Sequence, residues 1–214
     1  TYIVDLEPGT TKININAEKA NRYASVSGTG EIEVVEGNND IEVVVTAENG
    51  SKRTYHITAV VKEFDPIKKT VNDSDYTVVR KLSELTKPDN YEETTVNIDG
   101  NQVPAFYNKT VGYTLIAMKD VTGAIKMFIY DNGNFIPYLA LSFNKLDLII
   151  LEADNIPKGF VKDTITINNE TVTCYKNNEL NIVLLYGKSI TTGENNFYSF
   201  ENSDFTIQKF NSES

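Results

Sequence analysis

The sequence predicts an all-β protein, and three observations carry that prediction. Along the first third of the chain, short apolar runs alternate with polar residues at period two, which is the pattern of half-buried strands. Gly- and Asn-containing turn signals separate these runs at intervals of about eight to twelve residues, as in antiparallel sandwiches. The remaining two thirds contain one β-rich segment twice. We therefore expect a β-sandwich at residues 1–62, a polar linker at 63–75 and a duplicated β-meander domain at 76–214.

The N-terminal sandwich is predicted from alternation and from turn chemistry. The alternating apolar positions are Ile13, Ile15, Val26, Ile32, Val34, Ile41, Val43, Val45, Tyr55, Ile57 and Ala59. Pro8-Gly9, Gly37-Asn38-Asn39 and Asn49-Gly50 contain residues that tolerate the dihedral angles of tight turns. We expect a turn at each of these three sites.

The stretch from Gly37 to Thr58 contains a Gly-x-Asn turn, an Ile-x-Val-x-Val strand, a Thr-Ala-Glu-Asn-Gly loop and a Thr-Tyr-x-Ile-Thr strand, in that order. In these motifs it resembles the closing hairpin of the bacterial cadherin-like domains, which are immunoglobulin-like β-sandwiches. The resemblance covers residues 2–62 and implies a spacer or adhesion module of extracellular bacterial proteins, without catalysis of its own. The family has one more strand before the position of Tyr2, so we expect an N-terminally truncated sandwich and a chain that is a fragment.

The duplication is visible residue by residue. Pro88–Tyr107 returns as Pro157–Lys176. Further matched pairs are Leu115 and Leu184, Lys119 and Lys188, Thr122 and Thr191, Gly123 and Gly193, Asn132 and Asn202, and Phe135 and Phe205. The match predicts one copy at 76–142 and a second at 143–210, each a meander of about five strands. Because two copies are too few for a free-standing solenoid, we expect them to pack around a pseudo-twofold axis. This half of the chain also resembles, loosely, segments of Gram-positive surface proteins.

Turn dipeptides and hydrophobicity locate strands within each copy. Asp99-Gly100 and Asn168-Asn169 are hairpin dipeptides between strand-like runs. Tyr113–Met118 and Ile182–Gly187 are apolar on both faces, which predicts strands covered on both sides. Each copy is therefore expected to bury its central strand.

Charge and cysteine content exclude several classes of protein. Twenty basic against thirty acidic residues give a formal charge of −10, which disfavours nucleic-acid partners and anionic membrane surfaces. One cysteine, Cys174, cannot form an intrachain disulfide. No apolar run is long enough for a membrane span, so we expect no insertion of this fragment into a membrane. From the resemblance, we expect an extracellular or cell-surface location.

The residues that could carry chemistry are few. His56 is the only histidine and is expected to be a solvated strand residue rather than a base or metal ligand. Cys174 aligns with Ala105, so we expect an inert thiol in the core rather than a nucleophile. Asn38, Asn39 and Asp40, and likewise Asn72, Asp73 and Asp75, are expected in turns or linker rather than at calcium. We predict no enzyme activity, no catalytic or metal-binding residues and no cofactor.

Binding is the function class that the sequence leaves open. The duplicated half is rich in aromatic rings, which on a rigid sheet stack on sugars or anchor a protein. Its tyrosines are Tyr107, Tyr113, Tyr130, Tyr138, Tyr175, Tyr186 and Tyr198. The favoured role is adhesion or spacing, with a cell-envelope or host protein or glycan as partner. The alternatives are a carbohydrate-binding accessory module, which clustered solvent-facing tyrosines would favour, and a glycan-active enzyme, which needs paired carboxylates in a deep pocket.

Overall fold

The computed structural model describes residues 1–211. They form two compact units, the first running from Thr1 to Pro66 and the second beginning at Ile67. Twenty strands and one 3-10 turn are the regular elements of this part of the chain. The all-β class and the duplication are confirmed. Two seven-stranded sheets with the same strand order build the second unit.

The first unit is a small sandwich of six strands. They are β1 (Tyr2–Leu6), β2 (Lys12–Ile15), β3 (Ser25–Ser27), β4 (Gly30–Glu33), β5 (Gly37–Thr46) and β6 (Lys52–Val61). One sheet has the order β1-β6-β5-β3 and the other pairs β2 with β4. Its buried hydrophobic residues are Val34, Ile41, Val43, Ala59 and Val61. Along β5 and β6 the four of them that lie in strands alternate with exposed or half-buried side chains, as the period-two pattern predicts.

Two of the three predicted turns of this unit are present, and the third is wrong. Gly9 and Gly50 lie in tight turns at positive φ. Gly37-Asn38-Asn39 instead begins β5 and pairs with the end of β6, from Ala59 to Val61. The Asn39 side chain explains the difference, because it accepts a hydrogen bond from the Val35 N–H at 2.9 Å and donates one to the Val35 C=O at 2.7 Å. Asn39 thus fastens the incoming chain to the strand.

The second unit contains two copies of a seven-stranded element. The first copy has β7 (Lys68–Val71), β8 (Ser74–Val78), β9 (Glu92–Ile98), β10 (Asn101–Asn108), β11 (Tyr113–Lys119), β12 (Ile125–Asp131) and β13 (Asn134–Pro137). The second has β14 (Ala140–Phe143), β15 (Leu146–Ile150), β16 (Val161–Ile167), β17 (Glu170–Asn177), β18 (Ile182–Ser189), β19 (Asn195–Glu201) and β20 (Thr206–Lys209). The 3-10 turn Leu82–Glu84 lies between β8 and β9.

Each copy is larger than the sequence predicted, because it begins with an additional hairpin. β7 and β8 form this hairpin in the first copy, and β14 and β15 form it in the second. The copies accordingly span 67–138 and 139–210. The predicted linker at 63–75 is corrected in part: β7 and the start of β8 lie within it. Asn72 and Asp73 are the two positive-φ residues of the tight hairpin turn, while Ile67 and Val71 are buried.

Turn geometry repeats between the copies at the predicted hairpin. Asp99-Gly100 and Asn168-Asn169 all have positive φ, which is what a two-residue type I′ turn requires. The last hairpin differs, because β12 and β13 are joined tightly whereas β19 and β20 are separated by a longer turn. Phe205 therefore lies in that turn at a φ of 52°, and Ile207 takes the strand position of Phe135.

Equivalent positions fill the interior of each copy. The first interior contains Val103, Ala105 and Ile116, and the second contains their counterparts Val172, Cys174 and Leu185. The central strands β11 and β18 hold these interiors together, because each pairs with three other strands. Burial on both faces of β11 confirms the prediction for Tyr113–Met118.

A third apolar cluster joins the copies to each other. The first copy contributes Tyr91, Phe106, Val111, Leu115 and Ile129 from the outer face of its sheet. The second copy contributes Ile149 of β15, with Leu151 and Ile190 packed against the cluster. We call this the inter-copy cluster.

The inter-copy contact is asymmetric. The counterparts of Ile149, Leu151 and Ile190 are Thr77, Val79 and Val121, and none of these is in the cluster. Lys188 Nζ of the second copy lies 5.0 Å from the ring centroid of Tyr113 in the first. A pseudo-twofold axis would bring equivalent residues together. The copies instead pack head to tail, with the leading hairpin of the second on the outer face of the first.

Asn108 is a buried polar residue whose side chain has the same role as its counterpart in the second copy. Its Oδ1 accepts hydrogen bonds from the N–H groups of Thr110 (2.9 Å) and Val111 (3.2 Å), and the counterpart Asn177 accepts one from Leu180 (3.0 Å).

Asn108→Ala removes the acceptor of two N–H groups, so we expect the free energy of unfolding to fall by about 2 kcal/mol. Urea denaturation measures this change. The exposed Asn134→Ala serves as control, and equal losses for the two variants would contradict the assignment.

Candidate functional site

A surface depression recurs at the same place in both copies. In the first copy it has a volume of about 590 Å³ and lies where β11 begins and β12 ends. Its polar lining includes Tyr113, Thr114, Tyr130, Asp131 and Asn132. In the second copy the equivalent depression of about 400 Å³ is lined by residues that include Val183, Phe200, Glu201 and Asn202. The duplication has thus preserved the concavity while changing its chemistry.

The first depression combines two phenol rings with hydrogen-bonding groups. Tyr130 Oη donates to the carbonyl of Asn97 at 3.2 Å, and its ring lies 5.6 Å from that of Phe135. Asn132 Nδ2 donates to Asp131 Oδ1 at 2.9 Å. These contacts hold Tyr130 and Asp131 in position before any ligand arrives.

The second copy completes one wall of this depression. Leu151, which follows β15, is part of its lining, and Lys188 faces the Tyr113 ring. Burial, with Tyr186 nearby, raises the pKa of the Tyr113 hydroxyl, so the group is a neutral donor at physiological pH. The site therefore depends on the stacking of the two copies.

Most of the other tyrosines have structural roles. Tyr175 and Tyr198 are buried, and Tyr175 Oη accepts the Ala153 N–H at 2.6 Å. Tyr138 is packed edge-on against Tyr91, whose hydroxyl donates to it at 3.3 Å. Tyr107 is exposed but lies on β10, outside the lining of the depression. Of the seven tyrosines considered from sequence, the structure brings Tyr113 and Tyr130 together.

His56 lies on the solvent-exposed face of β6, an interior strand of its sheet, rather than in a pocket. Its Nδ1 is 3.3 Å from Glu42 Oε1, and both side chains are more than half exposed, at 58% and 64%. Within residues 1–211, no group of three or more His, Cys, Asp or Glu side chains could hold a metal ion. Asn72 and Asp73 form the β7–β8 turn.

Cys174 lies in the interior of the second copy. Its side chain is fully buried beside Val172 and Leu185, at the position that Ala105 occupies in the first copy. Burial raises the pKa of the thiol, which keeps it protonated and unreactive at neutral pH.

Alkylation of Cys174 tests this placement. In the native protein we expect iodoacetamide to react at least about a hundredfold more slowly than in urea, because reaction requires local opening of the sheet. The raised pKa also predicts that the native rate continues to rise with pH above the range of an ordinary thiol. Cys174→Ala, which copies Ala105, is the blank. Rapid labelling of the folded chain at neutral pH would contradict a buried thiol.

Comparison with known proteins gives no family. No protein-family model, curated protein or solved structure matches this chain. In the part of the chain that the structure describes, no helix is long and apolar enough to cross a membrane.

Sequence reasoning missed the polar half of the depression. The sequence does not mark Thr114, Asp131 and Asn132 as binding residues, because each resembles an ordinary surface residue of a strand or turn. The recurrence of an acidic residue followed by Asn after the aromatic strand, Asp131-Asn132 and Glu201-Asn202, is the signal that could have found them.

Proposed function

We propose that this chain is a non-catalytic module of a secreted or surface-attached bacterial protein, acting in adhesion or as a spacer that displays other modules. The observation that carries the proposal is the head-to-tail stacking of two copies in the second unit. Stacked repeats present a continuous surface and hold whatever follows at a fixed separation, as adhesion and spacer modules require. The motifs of Gly37–Thr58 that resemble cadherin-like domains point in the same direction.

The surroundings of the reactive residues also support a non-catalytic role. Cys174 is fully buried and burial raises the pKa of its thiol, so the group is protonated and shielded rather than set up as a nucleophile. Among residues 1–211, Asp131 and Glu201 are each the one acidic residue in the lining of their depression. Glycoside hydrolysis by the common mechanism needs two carboxylates facing one bond.

A bead-adhesion assay under flow tests the proposal. Beads coated with the full chain are passed over purified bacterial cell-wall glycans and host matrix glycoproteins, beside beads carrying an unrelated acidic β-protein. We expect retention of the coated beads on at least one of these surfaces. Release of reducing sugar from the same glycans would overturn the non-catalytic assignment.

The spacer role has its own test, which is single-molecule pulling between handles at the two ends. The inter-copy cluster predicts that both copies of the second unit unfold in one step. When one copy unfolds, the apolar side chains that it covered on the other copy become exposed to water. Two separate steps for the two copies, together with no retention on any surface, would overturn both forms of the proposal.

The second candidate function is a carbohydrate-binding accessory module, and the first-copy depression favours it. Tyr113 and Tyr130 offer rings for stacking on a sugar face, while Asp131 and Asn132 offer acceptors and a donor for sugar hydroxyls. At the positions of the two tyrosines the second copy has Ile182 and Phe200, of which Phe200 lines its depression.

The duplication supplies a matched control for this candidate. If a cell-wall oligosaccharide binds in the first depression, Asp131→Ala should weaken binding about tenfold or more, because a charged hydrogen bond is lost. Glu201→Ala in the second depression should leave binding unchanged. Titration calorimetry or NMR shifts with the oligosaccharide measure both variants. Equal effects, or no binding to the wild type, would contradict a glycan site here.

A further inference from the structure

The turn between β12 and β13 contains an asparagine followed by a glycine, at the rim of the first depression. Asn132 lines that depression, and Gly133 is the next residue of the turn. In such a pair the backbone nitrogen of the glycine can attack the side-chain amide of the asparagine, because no Cβ shields that nitrogen. The Asn132 Cγ–Nδ2 bond breaks, a bond from the Gly133 nitrogen to Cγ closes a cyclic imide, and ammonia leaves. Water then opens the imide to aspartate or isoaspartate.

The sequence contains this pair twice, and hydrogen bonds restrain the other one, Asn49-Gly50. The Gly50 N–H donates to the Ala47 carbonyl at 2.9 Å. Asn49 Oδ1 accepts from the Ser51 N–H at 3.1 Å and from the Ser51 hydroxyl at 2.7 Å. Both reacting groups of this pair are therefore held, and these bonds must break before an imide can form.

The related pair Asp99-Gly100, which can form the same imide by loss of water, is restrained as well. The Gly100 N–H donates to Asn97 Oδ1 at 3.0 Å. Lys69 Nζ bonds both carboxylate oxygens of Asp99, at 2.9 and 2.8 Å. Ring closure at Asp99 would thus cost the bonds of both partners.

Asn132-Gly133 lacks these restraints. Within residues 1–211, the Gly133 N–H has no hydrogen-bond acceptor and Asn132 Oδ1 has no donor. Both residues are exposed, and their φ angles are 46° and 90°. They lead into β13, a four-residue strand at the edge of its sheet. Local opening of this turn therefore costs little, and it lets the nitrogen reach Cγ.

Asp131 assists the departure of ammonia. Asn132 Nδ2, the leaving nitrogen, donates to Asp131 Oδ1 at 2.9 Å. This nitrogen must gain a proton before it leaves, and a hydrogen bond to a carboxylate becomes stronger when its donor is charged. The bond is thus stronger at the point of departure than in the starting amide, which lowers the barrier.

We infer that Asn132 is a self-modifying residue, whose side chain cyclises onto Gly133 and hydrolyses to aspartate or isoaspartate. Water is the one co-reactant that this chemistry uses. The product adds a second carboxylate to the lining of the first depression, beside Asp131. Isoaspartate also lengthens the main chain of the turn.

Peptide mapping by mass spectrometry of the full chain, stored at neutral and mildly alkaline pH, tests the inference. We expect Asn132 to convert at least about fivefold faster than Asn49, which is about what one net hydrogen bond is worth. The rate should rise with pH, because the Gly133 nitrogen reacts after its proton is removed. Asn202, at the equivalent position of the second copy but followed by Ser203, is the internal control and should convert more slowly than either.

Denaturant separates the contribution of the structure from that of the sequence. In urea both Asn-Gly pairs lose their hydrogen bonds, so they should react at similar rates and the preference for Asn132 should disappear. Asp131→Ala should slow conversion in the native protein more than in urea. An Asn132 that converts no faster than Asn49 in the native protein, or a preference that persists in urea, would overturn the inference.

The consequence for binding rests on the second candidate function, a carbohydrate site in the first depression. If an oligosaccharide binds there, Asn132→Asp, which copies one product, should weaken its binding at least about fivefold, because a donor is replaced by a second negative charge. Unchanged binding in titration calorimetry would overturn this consequence. Conversion at Asn132, which the mass spectrum reports without any ligand, would still stand or fall by the comparison with Asn49.

Discussion

Phe106→Ala should lower the free energy of unfolding of the second unit by about 4 kcal/mol, a large part of the stability of an ordinary domain. The Phe106 ring is fully buried in the inter-copy cluster, and Leu115 lies directly opposite it on the neighbouring strand. Its removal leaves a cavity between two sheets that cannot both relax into it. Urea denaturation followed by far-UV circular dichroism measures the loss.

The location of the damage is as informative as its size. Hydrogen exchange should show lost protection in both copies, because the cavity lies at their shared contact, and unchanged protection in residues 1–66. Tyr107→Ala is the matched control, since the adjacent residue on the same strand is 40% exposed and should cost less than about 1 kcal/mol. Damage confined to the first copy would contradict a shared interior.

Gly193→Ala should lower the free energy of unfolding of the same unit by about 2–5 kcal/mol. Its φ of 74° costs a side-chain-bearing residue about 1–2 kcal/mol. The new methyl group would also lie 2.4 Å from the Thr110 carbonyl oxygen, so the two copies must move apart, at about 1–3 kcal/mol more. Urea denaturation measures the sum.

Gly123→Ala measures the backbone contribution alone. It imposes the same kind of backbone strain, but the new methyl group enters open space, so the loss should be about 1–2 kcal/mol. The difference between the two variants is the cost of separating the copies at this point. Identical losses would mean that the contact between Gly193 and Thr110 does not constrain the copies.

The strands of each copy could be predicted from the sequence where local chemistry decides the backbone. Asp99-Gly100 and Asn168-Asn169 predict type I′ turns because few other dipeptides accept positive φ twice. The apolar run Tyr113–Met118 predicts the central strand because a strand that is apolar on both faces must be covered on both faces. Both features are local, and both are present in the structure.

The first hairpin of each copy could not be predicted as part of the repeat. Lys68–Val71 is rich in lysine, whereas its counterpart Ala140–Phe143 is largely apolar, so the pair shows little similarity. Lys69 explains how a polar strand is tolerated there, because its Nζ bonds both carboxylate oxygens of Asp99 at 2.9 and 2.8 Å. The partner of Lys69 thus lies thirty positions further along the chain, and neither the periodicity nor the composition of the hairpin predicts this contact.

The arrangement of the copies and the candidate site were beyond sequence reasoning for a similar reason. Ile149 and Thr77 look like ordinary variation between repeats until the structure shows that one is covered and the other is not part of the contact. The depression gathers Tyr113, Tyr130 and Leu151 from three strands' ends and two copies. No spacing in a linear sequence encodes such a gathering.

The asymmetric contact also gives the duplication a direction. Thr77 and Ile149 occupy equivalent positions, as do Ile129 and Ser199, yet only one member of each pair is suited to the middle of the molecule. If the order of the two segments in the gene were exchanged, Ile129 and Ile149 would lie outside the contact between the copies. Thr77 and Ser199, which carry hydroxyl groups, would take their places within it. Although they descend from one ancestor, the halves have become specialised for first and second place.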